Sequence, residues 1–431
     1  MTRFTKANAA IGLVRRVGAT AAITLGLTGC DDLLKVSSPG SLQEGQLANP
    51  ALEQFLINGV IGEFQFAYGS YVYWSGVLAD ESFTDHHASM SIQEVARHDF
   101  NEFNGINELL YGNLQRARQS ADDAADRVKT MLGTRAASSL NVARALAYGG
   151  YAYVLLGEGF CEAPVNLSAP LTSKELLTRA IARFDEAITV ATAAKAGSGV
   201  DAQDLINMAR VGAARASRGR GDLVAARAYA DSVPPTYGRW AYYSANSARE
   251  YNAIYLSVMT TGTPPWLAMH PTFQGLDDAR VPQPRASRLS LASHPIFPPL
   301  KPSMYSGWTA AAPGPIEVAT HIRFSSGLEA RYIVVEADGP TATMLAFVND
   351  RRAVGGKLPV TLGGTALLDE FRMQRALDFY LTGQRLGDLR RYAAAGTDLF
   401  PRGNFPILPN VYGTTHCFIV PQSEKSGNPN Y

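Results

Sequence analysis

Apolar positions recur at helical spacing through the first half of the chain. Leu52, Phe55, Leu56, Val60 and Phe64 fall near a 3.6-residue period and predict a helix with that stripe facing a core. Residues 109–129 form a second amphipathic segment that ends in mixed charge. Residues 136–157 are rich in Ala, Leu and Tyr, and Leu155-Leu156-Gly157-Glu158-Gly159 closes them with glycines. A further helix is predicted over 174–194, where Leu177, Ile181, Phe184 and Ile188 share one stripe. Residues 204–216, the turn Gly219-Arg220-Gly221-Asp222 and residues 223–232 make a hairpin that stops at Pro234-Pro235. Small residues where helices cross, and Gly-Asp turns between paired helices, are the pattern of tetratricopeptide-like hairpins with a loose period. An unrelated helical bundle is the alternative.

Beyond 235 the texture changes. Residues 236–365 hold most of the prolines, as in Pro264-Pro265, Val281-Pro282-Gln283-Pro284 and Pro298-Pro299, and predict a long-looped region. The run Tyr332-Ile333-Val334-Val335 is read as a short strand. One helix returns over 366–381, with Met373, Leu377, Tyr380 and Leu381 on one face, and Gly383 interrupts it. A basic segment through Arg385, Arg390 and Arg391 and an extended tail complete the chain. Glu370, Asp378 and Asp388 are interleaved with Arg372, Arg375, Arg385, Arg390 and Arg391, which favours internal ion pairs over an anion site.

The N-terminus changes the picture of where the chain works. Arg3, Lys6, Arg15 and Arg16 precede an apolar run over 17–28 that is too short to span a bilayer and suits a signal peptide. The run ends in Leu27-Thr28-Gly29-Cys30, which resembles the bacterial lipobox, with Cys30 as the acylated first residue of the mature chain. The whole sequence has 39 Lys+Arg and 38 Asp+Glu; cleavage before Cys30 would leave 35 against 38, a net of −3. Acyl chains, with no basic patch, would then hold it to a membrane, and no charge excess points to nucleic acid. Export is oxidising, and Cys161 and Cys417 are the two remaining thiols, so a disulfide between them is expected, against two separate buried thiols. Residues 31–50 read as a tether.

At 431 residues and 46% hydrophobic, the chain is long enough for one large domain or two ordinary ones, and it is neither a disordered tail nor a multi-span membrane protein. There is no Gly-x-Ser-x-Gly elbow, no His-Glu-x-x-His and no phosphate loop. Asp80-Glu81-Ser82-Phe83-Thr84-Asp85-His86-His87 is the segment most like a metal site. Sequence neighbours diverge on regular structure, and no other His or Cys pair sits at ligand spacing, so it is read as a solvated polar loop without a metal.

Glu370-Phe371-Arg372 through Gly383-Gln384-Arg385-Leu386-Gly387-Asp388-Leu389-Arg390-Arg391-Tyr392 resembles the arginine-rich helix and Gly-x-Arg-x-x-Asp-Leu-Arg-Arg motif of the SusD/RagB lipoproteins. The tail Phe418-Ile419-Val420-Pro421-Gln422-Ser423-Glu424 to Asn428-Pro429 is similar to that family's Ile-Pro-x-x-Glu and Asn-Pro close. Weaker matches are Tyr111, Arg144-Ala145, Gly221-Asp222 and Leu276-Asp277-Asp278-Ala279-Arg280-Val281. The departures are Ala117-Arg118 in place of Ala-Asn, the inserted Cys161-Glu162-Ala163, and Ala279 in place of proline.

The resemblance implies a mostly α SusD-like domain with minor β: signal peptide 1–29, tether 30–50, tetratricopeptide-like helices 51–235, a ligand-facing looped region 236–365, and a C-terminal helix and tail 366–431. It implies a lipid-anchored, surface-exposed outer-membrane protein that captures a nutrient, an oligosaccharide or a peptide, for a SusC-like TonB-dependent transporter. No cofactor and no catalysis are expected. Glycan binders of the family stack sugar faces on aromatics, which makes Trp240, Tyr242 and Tyr243 the leading candidates, with Trp74, Tyr73, Trp266 and Trp308 behind them. Trp and Tyr are mostly buried wherever they occur, so each competes with a place in the core. The alternatives are a protein-interaction scaffold and, more distantly, a hydrolase of nutrient polymers.

Overall fold

The computed structural model describes residues 50–84, 88–258, 267–283, 288–289, 295–406 and 409–431. The expected signal peptide, Cys30 and the tether, together with Asp85, His86, His87 and Trp266, lie outside them. Among the described residues thirteen α-helices carry the fold: α1 Glu53–Leu78, α2 Met90–Ala96, α3 Gly105–Leu132, α4 Leu140–Gly159, α5 Ser173–Ala193, α6 Lys195–Gly219, α7 Leu223–Ala230, α8 Ala253–Val258, α9 Gly327–Asp338, α10 Ala342–Val354, α11 Gly364–Asp378, α12 Arg385–Ala394 and α13 Gln422–Gly427. None of the described helices is long and apolar enough to cross a membrane.

Helices α3 to α7 pack consecutively, each on the next, with α1 laid against α3 and α4. Local chemistry sets their ends. Asn104 caps α3 by accepting from Ile106 N, Thr172 and Glu175 form a reciprocal capping box on α5, and Asp222 accepts from Ala225 N to start α7. Gly221, at φ 86°, makes the turn between α6 and α7 in a region few side chains tolerate. Helix α6 begins earlier than its apolar pattern suggests because a kink at Ser198 joins two helical pieces. Where α4, α5 and α6 meet, the buried Phe184 ring fills the space left by Gly150 and Gly212. A Cβ on Gly212 would stand 2.2 Å from that ring, and one on Gly150 2.6 Å.

The strands form four two-stranded antiparallel pairs: β1 Ser82–Thr84 with β5 Leu267–Met269, β2 Glu162–Ala163 with β3 Leu171–Thr172, β4 Gly238–Ala241 with β8 Ile322–Ser326, and β6 Arg288–Leu289 with β7 Pro295–Ile296. The main core joins the helical half to the tail through Phe160 and Phe418, and a second core gathers Tyr332, Phe347, Phe371 and Phe379. Cys161 and Cys417 are joined by a disulfide, with Cα atoms 5.2 Å apart.

The C-terminal arginines are tied inward. Arg375 meets Asp388 at 2.6 Å, Arg391 meets Glu336 at 2.6 Å, and Arg390 donates to the carbonyls of Glu158 and Phe160 at the end of α4. Arg215 on α6 is buried against Glu158 on α4, with Nη2 2.5 Å from Oε2 and also donating to Gly383 O.

Four expectations fail. Tyr332-Ile333-Val334-Val335 lies in α9, where every one of the four is buried, so its unbroken apolar run reflects a helix enclosed on most sides. The looped region accordingly contains α9 and α10. Phe55 is 61% exposed: α1 keeps Ile57, Val60 and Phe64 inward and turns Phe55 out. Asp80 to Thr84 are buried, because Asp80 meets His98, His270 and the Tyr412 hydroxyl while Glu81 Oε1 accepts from Leu381 N. The tail is not extended to its end, since α13 forms there.

Candidate functional site

β4 delivers the aromatic segment and alternation sorts it. Ala241 and Tyr243 point inward and are buried, while Tyr242 between them is 54% exposed. Two bonds fix this register. Tyr243 N donates to His321 Nδ1 at 3.1 Å, and the Tyr243 hydroxyl reaches Gln65 O on α1 at 3.4 Å. Burial holds His321 below the usual histidine pKa, which keeps Nδ1 an acceptor. The His321 ring meets Tyr242 edge-on at 5.0 Å.

After Tyr243 the chain folds around one carboxylate. Ser244 Oγ and Ser247 Oγ donate to Glu250, at 2.5 and 3.1 Å, and Ser244 N donates to Glu250 O. These hydroxyl donors, Ser244 first, hold the Glu250 carboxyl below its ordinary pKa. The neighbouring Arg249 turns toward α1, pairs with Glu63 at 2.6 Å and lies 4.2 Å over the Phe66 ring. The result is a cleft of about 490 Å³ between the first half of α1 and this loop, lined by Asn58, Glu63, Phe66, Tyr242 and Arg249. It offers an exposed phenol face, a second ring under a guanidinium, and amide and carboxylate groups at the edges. Both carboxylates already have partners, so the cleft's chemistry is contact and hydrogen bonding.

The other candidates are elsewhere. Tyr73 and Trp74 are buried with ring centres 4.3 Å apart, which makes them core packing. Trp240 is half-buried, opposite Arg323 across the β4–β8 pair, with the guanidinium 4.5 Å over its ring. Trp308 is half-buried and donates its indole N–H to Ala279 O at 3.1 Å. The structure therefore places Trp240, Tyr242 and Tyr243 on one strand end but opens only Tyr242 to the cleft. Among the described residues no cluster of His, Cys, Asp or Glu could hold a metal. Glu63, Phe66, Arg249 and Glu250 escape sequence reasoning because the helix and the loop that join them are about 180 residues apart, as the Arg249–Glu63 pair shows with a separation of 186.

No family model and no curated sequence matches the chain. Solved structures do. A SusD-like carbohydrate-binding protein from Bacteroides vulgatus is 14% identical, with a TM-score of 0.63 over 88% of this chain and 96% of its own. Surface glycan-binding protein A from Bacteroides thetaiotaomicron, in complex with laminarihexaose, is 13% identical with a TM-score of 0.65, over 88% of this chain and 98% of its own. Its namesake from Bacteroides uniformis is 12% identical with a TM-score of 0.61, over 89% and 99%. The mostly helical fold is thus the SusD-like fold, matched over nearly the whole length of each neighbour.

Proposed function

We propose that this chain is a member of the SusD/RagB family, a lipid-anchored outer-membrane protein that captures an oligosaccharide and passes it to a SusC-like TonB-dependent transporter. The observation that carries the glycan half of this function is Tyr242, an exposed aromatic held rigidly beside a polar cleft on a fold shared with glycan-binding proteins. A pyranose laid on the phenol would cover its apolar face, while Asn58 and Glu63 at the rim have atoms suited to its hydroxyls. Binding and release without bond cleavage fits a site whose carboxylates are engaged by Arg249 and by the serines of their own loop. Cys30 at the lipobox-like motif and the Cys161–Cys417 disulfide both suit an exported lipoprotein.

The test is titration calorimetry of the full chain against a panel of neutral oligosaccharides, repeated with Tyr242→Ala and Tyr242→Phe. At least one glycan is expected to bind, with affinity falling about tenfold in Tyr242→Ala, equivalent to about 1.4 kcal/mol, and little in Tyr242→Phe. Equal binding by Tyr242→Ala would move the site elsewhere, and no binding across the panel would refute the carbohydrate assignment.

A further inference from the structure

A second cleft, of about 640 Å³, opens between α11 and α12, on elements that contribute nothing to the Tyr242 cleft. Its walls are apolar on both helices: Leu368, Met373 and Ala376 from α11, Leu389 from α12, and Leu399 beyond it. Met373 is 39% exposed there, although it shares a stripe with the buried Leu377.

The polar groups of this cleft are unusual in having donors to spare. Arg375 is 1% exposed; it donates through Nε to Asp388 and through Nη2 to Gln384 Oε1, but its Nη1 has no hydrogen-bond partner among the described residues. Tyr392, 6% exposed, lines the same cleft with an unpartnered hydroxyl. A buried donor without an acceptor is costly, and two in one cavity point to an acceptor that arrives from outside. The acids present cannot supply it. Asp388 is taken by Arg375 on one oxygen and by Arg218, at 2.8 Å, on the other, and Asp369 is taken by Arg372 at 2.7 Å. The cleft presents Arg372, Arg375 and Arg385 against those two engaged acids, and the guanidiniums of Arg372 and Arg391 both lie over the Tyr392 ring, at 5.0 and 4.6 Å. Its field is net positive.

We propose that the α11–α12 cleft is a binding site for a small carboxylate with an apolar body. The carboxylate accepts from Arg375 Nη1 and the Tyr392 hydroxyl, and the body lies along Leu368, Met373 and Leu389. The site is independent of the glycan cleft.

The experiment is titration calorimetry of the full chain with hexanoate at fixed ionic strength, beside its neutral isostere hexanamide and inorganic phosphate. Hexanoate is expected to bind at least about tenfold more tightly than hexanamide, and phosphate, which lacks the apolar body, more weakly than hexanoate. Because substitution of Arg375 would strip Asp388 of a buried partner, the site is probed with Tyr392→Phe, which keeps the ring, and Met373→Trp, which fills the cleft from an exposed position. The first is expected to weaken hexanoate several-fold and the second to abolish its binding, while glycan binding stays unchanged in both. Equal binding of hexanoate and hexanamide, tighter binding of phosphate, no hexanoate binding up to ~10 mM, or insensitivity to both substitutions would overturn the proposal.

Discussion

Gly212→Ala should destabilise the fold although alanine is the better helix former. Gly212 lies in the interior of α6, where replacing glycine by alanine ordinarily gains about 1 kcal/mol. Here the new methyl would sit 2.2 Å from Phe184 Cζ, against a normal carbon–carbon contact of roughly 3.5–4.0 Å. The ring has nowhere to retreat: it is fully buried, a Cβ on Gly150 on its other side would meet it at 2.6 Å, and Tyr151 packs edge-on at 5.2 Å. Overpacking of this kind costs about 1–3 kcal/mol, more for an overlap this deep, so a net loss of about 1–2 kcal/mol remains after the propensity gain. Urea unfolding followed by circular dichroism measures it, with m unchanged. Gly112→Ala in α3, where nothing lies within 4 Å of the added carbon, is the control and should stabilise by about 0.5–1 kcal/mol. Adding Phe184→Leu to Gly212→Ala should cost less than the sum of the two single changes, with a coupling of at least about 0.5 kcal/mol. If Gly212→Ala matches the Gly112→Ala control, the helix crossing is looser than the geometry states and the reasoning fails.

The buried ion pair and the buried acid give further outcomes. Arg215→Met leaves Glu158 in the core without its bidentate partner and should cost about 3–5 kcal/mol in the same unfolding assay, with Glu158→Gln added on top recovering part of the loss. Burial pushes the Glu81 carboxyl up to about 8, against Arg385 and the Leu381 N–H, which act to lower it, and Asp388, which raises it. Its folded pKa lies above its unfolded one, so between about pH 4.5 and 8 the native state holds the extra proton and stability falls as pH rises, by up to about 1.4 kcal/mol per unit. Glu81→Gln should flatten that slope, and a wild-type profile already flat across this window would contradict the assignment.

How far the residues foretold the structure differs between the two halves. The helices of 105–230 were legible because each shows one apolar stripe to its neighbours and carries its own stop and start chemistry, such as Thr172 with Glu175 or Gly221 with Asp222. Helix α9 was not, since Tyr332 to Val335 are buried together and an unbroken apolar run has no period to distinguish helix from strand. The Asp80 to Thr84 turn looked solvated because the groups that receive it, His270, Leu381 and Tyr412, are remote in sequence. In the candidate site the aromatic segment was visible, but which ring opens outward depended on the β4 register. The cleft's other wall comes from α1, whose Glu63 and Phe66 carry no motif of their own.

The central claim is partnership with an importer, and affinity purification of the tagged chain from detergent-solubilised native outer membranes, with mass spectrometry of what accompanies it, tests it most directly. A TonB-dependent barrel recovered in near-stoichiometric amount is the predicted result. Recovery of the chain alone, in both mild and crosslinked preparations, would contradict it.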